Sequence, residues 1–283
     1  MDAGALSPVQ QTALATAYAR ALDSRSPRSI LGDTLADEVV AGIDFDFAGL
    51  GVTPSVVCLV ALRARMLDDM IRRFVTEQPD AVVVDLGAGL STGVFRVDPP
   101  PSVDWFSVDL PEMTALRDGV LPHRYRSHSL AASVAETDWL RVMPADRPAI
   151  VVADGLFPFL PDAVVAATAG RITEHFRLGM IAFNDYGTVS RLNRLAKLIM
   201  ARKPMFRTMY GQWEFRGFRD AHHPETWGAR MRLVEESSAM RQPEVALFPP
   251  LLRIGSRLGA RVPAVASKAR VLCYRFDPPD GTR

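Results

Sequence analysis

Apolar residues recur along this chain with two spacings, and the change from one to the other outlines the architecture before any chemistry is considered. Ser7-Pro8 is placed to start a helix, with serine as cap and proline at the first position, and Leu14, Ala17, Tyr18, Ala21 and Leu22 then share one face until Ser26-Pro27. A second helical stretch runs from Pro54 to Thr76, where Val57, Val60, Ala61, Ala64, Leu67, Met70, Ile71 and Phe74 keep helical spacing. The pattern then shortens. Val82 to Asp85, Trp105 to Val108, Tyr125 to Ser129, Ala149 to Val152 and Gly179 to Phe183 read as strands, with helices between them at Glu112 to Val120 and Asp162 to Phe176. Strands alternating with helices predict an α/β fold with a mainly parallel sheet covered on both faces. Tyr186 to about His223 breaks that alternation and reads as an inserted cap. Its expected helix carries Leu192, Leu195, Ala196 and Ile199 on one side, with Arg191, Arg194, Lys197, Arg202 and Lys203 over the rest. From Glu225 to Cys273, the sequence through Trp227, Leu233, Val234, LFPPLL and Val271 to Tyr274 suggests a helix, a loop and one or two returning strands. Four parts follow: an N-terminal helical extension over 1–80, a core over 81–185, a cap over 186–223, and 224–283 completing the sheet.

The chemistry concentrates between the first two strands. Leu86-Gly87-Ala88-Gly89 leaves the first strand in a sharp turn, where glycine lets the backbone come close to a ligand that a Cβ would obstruct. The second strand ends on Asp109, 22 residues beyond Gly87 and near the spacing of about 20 expected for an acid that accepts ribose hydroxyls. The dinucleotide fingerprint is incomplete, because Thr92 stands where its third glycine belongs. The turn therefore favours a ligand without a pyrophosphate, foremost S-adenosylmethionine, over a nicotinamide dinucleotide.

The blocks AYARALDS, ILGDTLADEVV, DFDF, RARMLDDMIRRF, LGAGLSTGVFRVD, VDWFSVDLPE and ADGLFPFLP occur in that order from Ala17 to Pro161. In order and spacing they resemble the leucine carboxyl methyltransferase superfamily, specifically its bacterial tetracenomycin-type polyketide O-methyltransferases. The resemblance implies a Rossmann-like class I methyltransferase sheet, S-adenosylmethionine as cofactor, and a small polyketide-like acceptor methylated at a carboxylate. It also implies that Asp109 holds the ribose, that the acid at position 154 contacts the amino-acid part of the cofactor, and that Arg63 or Arg65 offers paired donors to the cofactor carboxylate, Arg63 being preferred. Three positions depart from the family pattern: Ser91-Thr92-Gly93 replaces Asp-Thr-Arg, Asp154 replaces Glu, and Phe159 replaces Tyr. They place the usual acceptor chemistry in question.

Composition narrows the partners. The 283 residues are 48% hydrophobic, enough for one large core with additions, and the formal net charge of +1 offers no global field to nucleic acid or an anionic membrane. No base-reading motif, leader-like start or long apolar span is evident, so a soluble, cytoplasmic protein with a small-molecule partner is expected. The two cysteines, Cys58 and Cys273, lack metal-ligand spacing, and no metal is expected.

The cofactor site is accordingly expected at Arg63, Asp85, Gly87, Ala88, Gly89, Asp109, Leu110, Ser133, Val134, Asp154 and Gly155, and the acceptor site at Tyr18, Phe159, Asn184, Tyr186 and Arg191. An acceptor carboxylate with an ordinary pKa of roughly 4 needs no general base, whereas a phenol near 10 would profit from one. Of the five histidines, only the adjacent His222 and His223 form an attractive pair. Adjacent histidines on a surface loop are more often solvated than catalytic, and the lack of a compelling base favours the carboxylate. Methylation of a phenol or other hydroxyl, and a cofactor-binding scaffold without transferase activity, are the alternatives.

Overall fold

A computed structural model describes residues 6–187, 214, 217–227 and 230–277. Its centre is a seven-stranded sheet in the order β3-β2-β1-β4-β5-β7-β6. The strands are β1 (Val82–Leu86), β2 (Asp104–Asp109), β3 (Ser127–Ala131), β4 (Ala149–Ala153), β5 (Gly179–Asp185), β6 (Met231–Ser238) and β7 (Arg270–Phe276). The first five are parallel, whereas β7 runs antiparallel between β5 and β6. Register sets Val82 opposite both Asp104 and Ala149, so β1, β2 and β4 end level with one another. In parallel sheets of this kind ligands bind outside the carboxyl ends of the strands, and the glycine turn leaves from there.

Helices α1 (Pro8–Ser24), α2 (Thr34–Ala41), α3 (Pro54–Glu77), α4 (Gly93–Val97), α5 (Pro111–Val120), α6 (Asp162–His175), α7 (Pro250–Gly259) and α8 (Pro263–Ala266) surround the sheet. On one face Met66, Met70 and Phe74 of α3 pack on Val83, Trp105, Ile150 and Cys273. On the other, Val165 and Ile172 of α6, with Phe176, pack on Val84, Val151, Phe183 and Tyr274. The N-terminal extension forms a third core in which Leu14 and Ala17 of α1 and Val39 of α2 meet Met113 and Leu116 of α5. Among the described residues no helix is long and apolar enough to cross a membrane.

Two elements differ from the expected pattern. β3 begins at Ser127 rather than Tyr125, because Arg126 adopts a left-handed turn at φ 57° and pairing with Trp105 starts only at Ser127. Tyr125 is 74% exposed outside the sheet. The region after Glu225 yields two strands, and Leu233 and Val234 lie on β6, with helix α7 following it. The cap proposed for 186–223 falls largely outside the described residues.

Candidate active site

Gly87 and Gly89 take left-handed backbone conformations, φ 63° and 48°, that L side chains rarely adopt. Neighbours also close around them. A Cβ on Gly87 would stand 2.8 Å from Leu156 Cδ1, and one on Gly89 2.9 Å from Ala13 Cβ. The turn is thus packed between α1 and the segment after β4 at a distance only glycine permits.

The turn is held by side chains on both flanks. Asp109 Oδ2 accepts from the Gly89 backbone N–H at 2.6 Å, and Oδ1 accepts from that of Leu110 at 2.7 Å. Each oxygen keeps lone-pair capacity for a further donor. Burial pushes the Asp109 pKa up, and the two backbone bonds pull it back. Beneath, Arg20 Nη2 donates to the Leu90 carbonyl at 2.6 Å, while Arg117 Nη1 donates to those of Gly89 at 3.2 Å and Ser91 at 2.6 Å. Arg20 is fixed in turn by Asp33, whose Oδ2 accepts from Arg20 Nε at 2.9 Å, the Thr92 hydroxyl at 2.6 Å and Arg96 Nη1 at 3.1 Å. Arg96 also grips Asp68 with Nε at 2.8 Å and Nη2 at 2.9 Å. Asp85, buried at the end of β1, has its carboxyl pushed up to about 6 by burial, against the opposing pull of Arg117 and Ser91.

Opposite the turn, Arg63 of α3 approaches Asp154, Nε to Oδ1 at 2.9 Å, and its Nη1 donates to the Tyr186 hydroxyl. The approach to Asp154 is an ion pair without hydrogen-bond alignment, so Arg63 Nε and Asp154 Oδ1 are buried atoms that make no hydrogen bond there. Burial raises the Tyr186 pKa, while Arg63 works against that rise.

These groups surround a single cavity of about 410 Å³. It is lined by Arg63, Asp85, Gly87, Ala88, Gly89, Asp109, Leu110, Ser133, Val134, Asp154, Gly155, Phe159 and Tyr186, which brings most of the sequence-derived positions together. Two positions stand elsewhere. Tyr18 points away from the cavity into the helical extension, its ring 5.4 Å from that of Phe47, because it shares the core-facing side of α1 with Leu14 and Ala21. Asn184 belongs to a separate small crevice beside Leu59, Met66 and Val271, since alternation along β5 turns it toward α3. Arg191 lies outside the described residues. His222 is paired with Glu225 at 3.2 Å, and His223 packs with Phe218 and Trp227; neither lines the cavity.

The cavity also has a wall that the apolar pattern did not reveal. Val9, Thr12, Ala13, Thr16 and Arg20 of α1 line it. Their spacing of three and four was a helical signal, but in small and polar residues. The buried ions Arg20, Asp33 and Asp68, with the half-buried Arg96, were equally missed, since isolated charged residues normally read as surface.

Sheet order and cavity position define a class I methyltransferase fold, and a crystal structure of a methyltransferase candidate from Thermobifida fusca matches it with a TM-score of 0.56 at 16% identity, covering 92% of this chain and 94% of that one. The family profile for leucine carboxyl methyltransferase matches residues 13–173. The chain belongs to the leucine carboxyl methyltransferase family. It is 41% identical over 179 residues to the tetracenomycin polyketide synthesis O-methyltransferase TcmP of Streptomyces glaucescens, covering 63% of this chain and 66% of that protein. It is 30% identical over 204 residues to the S-adenosyl-L-methionine-dependent methyltransferase dpfgK of Gibberella zeae, covering 65% of this chain and 68% of that protein.

Proposed function

We propose that this protein is an S-adenosylmethionine-dependent O-methyltransferase acting on a small, polyketide-like acceptor, at a carboxylate. The observation that carries the reading is the pairing, across one cavity, of Asp109 on the glycine turn with the Arg63–Asp154–Tyr186 cluster. The bound cofactor supplies an activated methyl group on a sulfonium. Asp109 is suited to the ribose hydroxyls, because both of its oxygens can still accept while the backbone fixes their direction. Leu110 and Val134 offer apolar surface to the adenine, and Ser133 stands beside them. Arg63 and Asp154 carry the charges that an amino-acid carboxylate and ammonium require, and their unaligned contact leaves both atoms able to turn toward such a ligand.

The chain's contribution to the reaction is positioning and exclusion of water. Leu156, Pro158, Phe159 and Leu160 give the cavity an apolar side against which an acceptor ring can pack. None of the described lining residues is histidine, lysine or cysteine, and of the groups there that can take a proton, Asp109 and Asp154 are assigned to the cofactor, which leaves Asp85 and Tyr186. A carboxylate acceptor arrives already ionised and asks for no such group. The TcmP relative, named for O-methylation in polyketide synthesis, supports the oxygen acceptor and its class.

The test is methyl transfer from labelled S-adenosylmethionine to a panel of aromatic acids and phenols. An alkali-labile methyl ester formed on the acids is the expected product. An alkali-stable ether would replace this reading with hydroxyl methylation, and cofactor binding without transfer to any oxygen acceptor would replace it with a scaffold role.

A further inference from the structure

Residues 245–276 contain no aspartate or glutamate, a local bias that the net charge of +1 conceals. Within this stretch Arg270 is committed to Asp185 and Glu236, and Arg275 to Asp277. Among the described residues Arg253, Arg257 and Arg261 pair with no carboxylate. They follow one another at intervals of four, along and just beyond α7.

α7 itself buries no residue. Leu251, Ile254 and Leu258 are 85%, 56% and 55% exposed, at the spacing that puts them on one face, and Val262 and Val265 extend the apolar surface past the helix end. Isolated apolar side chains on a surface are ordinary, but a row of them beside arginines that meet no carboxylate, Arg253 donating instead to the Ala246 carbonyl at 3.3 Å, points to an interaction site.

We propose that this face docks on an anionic lipid bilayer. The helix lies flat, with Leu251, Ile254 and Leu258 at the boundary between headgroups and acyl chains and the three arginines against lipid phosphates. Charge selects this occupant over a second copy of the chain. A two-fold contact through α7 would set three arginines against the same three of the other copy, with Glu244, on the turn before the helix, the acid nearest to them in sequence. Shape selects it over an acidic protein surface: the apolar side chains protrude, and a protein partner would need a fitted groove where a bilayer yields to them. Membrane docking is independent of the methyl-transfer reading.

The experiment is sedimentation of the full chain with vesicles of phosphatidylcholine alone or mixed with phosphatidylglycerol, at low and high salt. Binding to the mixed vesicles alone, weakened by salt, is expected. Leu251→Asp with Ile254→Asp, and separately Arg257→Glu with Arg261→Glu, should each reduce partitioning by about tenfold or more while leaving the thermal unfolding transition in place. Failure of the wild-type chain to bind anionic vesicles at low salt overturns the proposal. So does binding that survives the Leu251→Asp, Ile254→Asp change, or a dimer in solution that this change dissolves.

Discussion

Asp109 has two duties that one mutation can expose. Its carboxylate ties the glycine turn to β2 through the Gly89 and Leu110 N–H groups, and it is the group proposed to meet the ribose. Asp109→Ala should therefore weaken S-adenosylmethionine binding by about 2 kcal/mol or more, near the upper range for hydrogen bonds to a charged acceptor. Titration calorimetry on a variant shown to be folded decides it, and an unchanged dissociation constant would remove Asp109 from the cofactor site. Residues of this kind were visible in the sequence because glycine, a strand-end acid and their spacing are local signals. Arg20 and Asp33 were not visible. Their pairing joins positions 13 apart through an intervening turn, and each looks like a surface charge until the fold buries both.

At the scale of elements, the sequence pattern was most informative where burial was two-sided. β1 and β4 are buried at every position, so continuous apolar runs betrayed them. β3 lies at the sheet edge with largely exposed side chains, and no such run exists to locate its start. What fastens this edge is electrostatic. Asp104, at the amino end of β2, accepts from Arg126 Nε at 3.1 Å and contacts His128 Nε2 at 2.9 Å, and Arg147 joins them. Burial alone would raise the Asp104 pKa, but hydrogen bonds from His128, Arg126 and Arg147 outweigh it and hold the carboxyl down at about 2. A carboxyl lowered on folding contributes stability that is complete above its ordinary value of about 3.9 and is lost as pH falls through the folded value. The advantage of wild type over Asp104→Asn in urea midpoint should accordingly hold at pH 5 and shrink progressively as the pH is lowered from about 4 toward 2. A difference that stays constant over that window would mean that the cluster does not act through the Asp104 charge.

Across the whole molecule, alternation and apolar runs made the parallel half of the sheet legible, together with its outer helices. They did not show how α1 comes to wall the cavity. That wall is built from Thr12, Ala13 and Thr16, whose small size suits close approach to the turn and leaves no apolar signature. The antiparallel side was harder to read for another reason. β6 is an edge strand, buried only in part, and its partner β7 arrives through a segment containing two helices. Neither strand carries its pairing in nearby sequence.

The placement of β7 between β5 and β6 bears on how the chain is born. The glycine turn, Asp109 and Asp154 all leave the ribosome well before Arg270, yet β5 has no neighbour on its far side until residues 270–276 emerge. During synthesis the nascent sheet therefore offers β5 as a bare edge carrying the apolar Ile181 and Phe183, and that is a template for pairing with another chain. A chain stopped at Ala266 should collect in the insoluble fraction even though every charged group proposed to hold the cofactor is present in it, and recovery of a soluble, protease-resistant fragment would refute this. Completion of the fold, as distinct from completion of the site, waits for the return of one strand.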